Sequence, residues 1–222
     1  KNILFEAAME AGELDFATQG FEGIRGSVSK RTRIYLEATT LLAICHIRKK
    51  DFDAAKPLMA EVLRNDKFIK SEFQRAHFKK RIIERFDEES VLSSLTNCGT
   101  DNLDPSEIQE EAGNLLRKIT EDEIYTLLGE STPQHTIDIL NQIELFSLKQ
   151  LPQAEFRYLP GPKEKKERRE VGKIVFTSFK RTLYRSICDP NSDIYKAWVH
   201  QGLGVVLDKK FIGGAIVATL SG

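Results

Sequence analysis

Nucleophilic chemistry needs a thiol or hydroxyl within reach of a base, and Cys45 and His46 are neighbours in the chain. On a helix, adjacent side chains point about 100° apart, so the two do not converge on one substrate. The four histidines, His46, His77, His135 and His200, are widely separated, and Cys45, Cys98 and Cys188 form no CxxC pair. No GxSxG, HExxH or P-loop pattern occurs, and no DxDxDG loop for calcium. Gly20, Gly23 and Gly26 have the wrong spacing for a phosphate-binding loop, and no strand precedes them. The sequence thus assigns no catalytic residue, no metal ligand and no cofactor. An odd number of dispersed cysteines points to free thiols in a reducing compartment, and the reading places the chain in the cytoplasm.

Binding chemistry is easier to find. Between Lys67 and Phe86, basic groups alternate with Phe68, Phe73, Phe78 and Phe86. Such a stretch can pair with phosphates while its rings stack on bases, so 67–85 is a candidate nucleic-acid or ligand-responsive helix. Against this, Ile69, Phe73, Ala76, Ile83 and Phe86 fall near helical spacing, which favours a buried face. Net charge is zero, with 33 basic and 33 acidic groups, and this excludes a uniformly basic nucleic-acid coat. The zero is a sum of opposed blocks. Residues 101–150 hold 3 basic against 11 acidic groups, and residues 151–222 hold 13 against 7. Either these blocks face each other or each faces a partner of opposite charge.

The elements that position these groups are helical. From Arg33 to Leu63 the chain is rich in Ala, Leu, Lys, Glu and Arg, and it divides at Lys49-Lys50-Asp51 into two helices. One carries Ile34, Ala38, Leu41, Leu42 and Cys45. The other carries Ala54, Ala55, Leu58, Met59 and Val62. Leu42, Ala43, Asp51-Phe52-Asp53, Ala55, Met59 and Val62 stand as they do in a tetratricopeptide repeat, which this hairpin resembles. His46 replaces a frequent Tyr and Lys67 a frequent Pro. An earlier copy spans Leu4, Phe5, Gly12-Glu13-Leu14-Asp15, Ala17, Phe21 and Ile24. A weaker third runs from Phe73, Ala76 and His77 through Phe86, with a second helix over Glu88–Leu95. The resemblance covers residues 1–95.

It implies a helical solenoid that holds a protein or peptide partner without catalysis. The groove-facing, exposed candidates are Arg31, Tyr35, Thr39, His46, Arg75, Lys79 and Lys80, suited to a carboxylate-bearing peptide. Nucleic acid is the less expected partner.

Further along, Asp104-Pro105-Ser106-Glu107 reads as a helix start. Thr120-Glu121-Asp122-Glu123 reads as a capping box, with Gly129 as a stop. A third helix begins after Ser131-Thr132-Pro133, with Ile137, Leu140, Ile143 and Phe146 apolar. Residues 151–162 read as an extended connection, followed by a helix whose basic stripe is Lys173, Lys180, Arg181 and Arg185, although Val171, Ile174, Val175 and Phe176 also fit a strand. The apolar run 202–220 reads as a hairpin, a buried helix end, or the start of a membrane segment continuing past Gly222. The expectation is an all-α chain in three parts: repeats over 1–100, an acidic segment over 101–150, and a basic segment over 151–222.

Overall fold

The computed structural model describes residues 2–95, 114, 118–148, 168–188, 190, 192, 195–196 and 199. The fold is all-α: among the described residues there is no strand. Helices α1 (Asn2–Glu10), α2 (Leu14–Ser27), α3 (Arg33–Arg48) and α4 (Phe52–Arg64) precede a 3-10 turn (Asp66–Phe68). Then come α5 (Glu72–Leu95), α6 (Glu121–Ser131), α7 (Gln134–Leu148) and α8 (Arg168–Cys188). Two compact units divide the chain, Lys1–Ser93 with Gln134–Lys166, and Ser94–Pro133 with Glu167–Gly222. These units cut across the charge blocks, because the acidic segment contributes α6 to one and α7 to the other. The hairpin or membrane reading of 202–220 and the helix start at Asp104 lie outside the described residues.

The first unit is built from consecutive helical hairpins. Gly12 turns α1 into α2 at φ +84°, a left-handed conformation open to glycine. Lys50 makes the equivalent turn between α3 and α4 at φ +62°, without glycine's freedom. Asp51 then caps α4 by accepting from the Ala54 N–H at 3.2 Å. α3 is the central helix, packed by α2 and α4, with a further contact to α1. It is buried nearly all round, including Tyr35, Leu36, Ala38, Thr39, Leu42, Ile44, Cys45 and Ile47. Its buried hydroxyls are satisfied within the helix: Thr39 donates to the Tyr35 carbonyl and Thr40 to the Leu36 carbonyl, each at 2.8 Å. α7 packs on α4 and buries Ile137, Leu140 and Ile143.

The third hairpin expected from the repeat pattern does not form. α5 is one continuous helix of 24 residues. Nothing between Glu72 and Leu95 breaks it, since the stretch has neither glycine nor proline and is rich in Arg, Lys, Glu and Phe. Its start is fixed by Ser71, which accepts from the Gln74 N–H at 3.3 Å.

In the second unit α6 packs against α8. The expected capping box is present: Thr120 accepts from the Glu123 N–H at 3.4 Å, and Glu123 accepts from the Thr120 N–H at 2.7 Å. Gly129 does not stop the helix, which runs to Ser131. Its role is close approach. A Cβ on Gly129 would fall on the Arg168 carbonyl, and one on Gly172 would fall on the Tyr125 carbonyl. The opposed charges meet along this crossing, with Asp122 bound by Arg169 at 2.7 Å and Lys173 lying 5.5 Å from the Tyr125 ring centre.

Candidate interaction surface

The residues expected on a binding face separate sharply once the first unit is folded. Tyr35 and Thr39 are not exposed: they retain 3% and 0% of their surface. The reason is that α3 is covered on more than one side, so no face of it is left for a groove at these positions. Tyr35 instead closes an internal triad. Its hydroxyl donates to Glu61 at 2.6 Å, Arg25 donates to that hydroxyl at 3.0 Å, and Arg25 binds Glu61 at 2.8 Å. Burial, with Glu61 beside it, raises the Tyr35 phenol above its ordinary range.

His46 is half-buried, with Nδ1 3.4 Å from Asp51 at the α3–α4 turn. Cys45, its neighbour, is buried, and burial pushes its thiol up to about 11. A thiol so desolvated is a poor nucleophile, in keeping with the divergent directions read from the sequence. Among the described residues, no three His, Cys, Asp or Glu side chains gather into a metal-binding group.

Arg75 and Lys79 are half-buried, and Lys79 is spent on the Ser147 carbonyl at 2.8 Å. Arg31 and Lys80 are exposed. Lys80 is the candidate that leads to a surface, because others gather near it. At 100° per residue, Phe73 and His77 lie roughly 140–180° round α5 from Phe86. Phe86 is buried, and Phe78 packs on the cluster of Tyr35, Leu36 and Ile69. The opposite face carries Phe73, His77, Lys80 and Arg81, with Lys67 and Lys70 leading into it, and all six are exposed. Phe73 keeps 72% of its surface. Its ring meets that of His77 edge-on at 4.3 Å between centres, which fixes the pair as one aromatic knob.

Lys67, Lys70, Lys80 and Arg81 have no carboxylate partner among the described residues. Elsewhere in the unit, arginines at helix crossings are held. Arg48 binds Glu89 through two bonds of 2.8 Å and also reaches Glu10 at 3.2 Å, while Arg85 binds Glu6 at 3.3 Å. Those pairs fasten α5 to α1 and α3 and leave the stripe facing outward.

Sequence reasoning offered 67–85 as an exposed basic and aromatic stretch but ranked it below a buried face, and it did not single out Lys70, His77 or Arg81. It treated Phe73 as core because Phe73 and Phe86 share an approximate spacing. Counting phase at 100° per residue over the 13 positions from Phe73 to Phe86 separates the two by about 140°.

A second, polar recess of about 370 Å³ lies where the α3–α4 turn meets α7, lined by Lys50, Phe52, Lys56, His135, Asp138 and neighbours. Its charges are mixed, and Lys56 is paired with Asp53 at 3.0 Å. No described helix is long and apolar enough to cross a membrane. No protein-family model, curated protein or solved structure matches the chain.

Proposed function

We propose that the chain is a non-catalytic binding module of the cytoplasm, a scaffold or adaptor, whose first unit docks a protein or peptide partner. The observation that carries this reading is the exposed aromatic knob of Phe73 and His77 set among four cations that have no carboxylate partner among the described residues. Burying a phenylalanine ring is worth about 1.5–3 kcal/mol. A ring left 72% exposed retains most of that for an association. The cations supply direction and encounter rate. The two helical hairpins of α1–α4 are what a tetratricopeptide-like array would use as its frame, which supports the resemblance. The long α5 departs from it.

The stripe also keeps a nucleic-acid reading in view, since Phe73 is exposed beside Lys80 and Arg81. Phe86 and Phe78 face inward, however, which leaves one ring pair where a stacking track needs several.

The test is site-resolved crosslinking. A photo-crosslinking residue at position 77 should give discrete adducts with another protein in a cell extract, and one at exposed position 30 should not. A Tyr35→Phe chain should keep those adducts, because Tyr35 is internal. Adducts absent at 77, or equally strong at 30, would overturn the reading.

A further inference from the structure

We infer that the α5 stripe receives an acidic amphipathic helix of a partner protein. This rests on the reading of the first unit as a partner-binding module, and it adds the chemistry of what is bound. Phe73, His77, Lys80 and Arg81 recur at spacings of three and four, so they lie along one line of the helix surface. From Phe73 to Arg81 the line is about 12 Å long at 1.5 Å per residue, a little over two helical turns. Glu84 continues the line toward the C-terminus and reverses its sign. A partner helix of two or three turns spans the positive part of the line.

The pattern within the stripe also specifies a helix. An apolar ring with a pair of cations about two turns further along the helix is complementary to an apolar recess with carboxylates about two turns away on the partner helix. Lys67 and Lys70, just before α5, extend the positive potential past the knob. They would meet further carboxylates at the other end of the partner helix. Both lysines are exposed and without a carboxylate partner among the described residues.

The experiment uses the full chain and three labelled probes in fluorescence anisotropy. One is a helical peptide of repeating Glu-Leu-Leu-Glu-Glu-Ala-Leu units, the second replaces each Glu with Lys, and the third is a 20-nucleotide single-stranded poly-dT. The acidic peptide should bind and the basic one should not. Phe73→Ala should weaken binding about tenfold. The double change Lys80→Glu with Arg81→Glu should weaken it at least about tenfold, and rising salt should loosen the wild-type complex. Phe73→Leu should recover most of the loss, since it keeps an apolar knob. All three positions are exposed, so circular dichroism of the variants should match the parent.

Poly-dT binding tighter than the acidic peptide, with the same dependence on Phe73 and Arg81, would overturn the inference in favour of nucleic acid. Peptide binding indifferent to all these substitutions would overturn it too. Adducts at position 77 with no acidic-peptide binding would refute the partner's chemistry and leave the module standing. Loss of both would remove the module as well.

Discussion

Cys45 shows how one residue's surroundings decide its behaviour. Its thiol is packed inside α3, and burial holds the proton on it to about 11 against an ordinary 9.0. The unfolded chain therefore gives up that proton at lower pH than the folded one. The stability this contributes is whole below pH 9 and is lost as pH rises toward 11. Urea midpoints measured at pH 8, 10 and 11 should fall more steeply for the parent than for Cys45→Ala. Equal slopes would show that Cys45 has no part in the alkaline edge. Exposed Cys188 should be alkylated readily at pH 8 while Cys45 is protected, as site-resolved mass spectrometry can read. The sequence supplied the identity of these groups but not their environment. Tyr35 and Thr39 are polar enough to suggest a surface, yet each is satisfied internally, one by Arg25 and Glu61 and the other by a backbone carbonyl. Local hydrogen bonds made polar residues compatible with burial, and no pattern of residue types announces that.

For the elements, boundaries were more legible than faces. The Lys49-Lys50-Asp51 break, the Thr120–Glu123 capping box and the start of α7 after Pro133 all follow from local chemistry, and each is found. Gly129 was legible as a special position but not as the right kind, because a glycine that ends a helix and one that admits a neighbour look alike in sequence. Its conformation is helical, and the neighbour is the Arg168 backbone. Gly172 faces the Tyr125 backbone in the same way. Gly129→Ala or Gly172→Ala should push α6 and α8 apart and destabilise their unit by about 1–3 kcal/mol, as overpacking does. Hydrogen exchange should speed up in both helices. Unchanged protection in α6 and α8 would mean that the crossing tolerates a methyl group. On an exposed helix surface the opposite holds: alanine for glycine stabilises, by up to about 1 kcal/mol.

Over the whole molecule, composition was a good guide to class and a poor guide to assembly. An all-helical chain was expected and is found among the described residues. The division into three successive segments could not foresee that α7 packs on α4. Any apolar helical stripe can satisfy any other, so the sequence of α7 holds no address for its partner. A fragment ending at residue 100 lacks α7 and uncovers the face of α4 that α7 protects. It should unfold several kelvin below a chain carrying residues 1–148, with added binding of a hydrophobic dye. Identical melting of the two would show that α7 adds nothing to the first unit. The opposed blocks are partly reconciled in the second unit, where Asp122 binds Arg169.

The discontinuous first unit also sets an order of events during synthesis. α7 begins 70 residues after α4 ends. At 5–20 residues per second, that is roughly 4–14 s in which α4 has left the ribosome without its cover. Throughout that interval a growing chain displays apolar surface that the finished protein hides. A chaperone that binds such surfaces has its window there, and it closes when Ile137, Leu140 and Ile143 arrive.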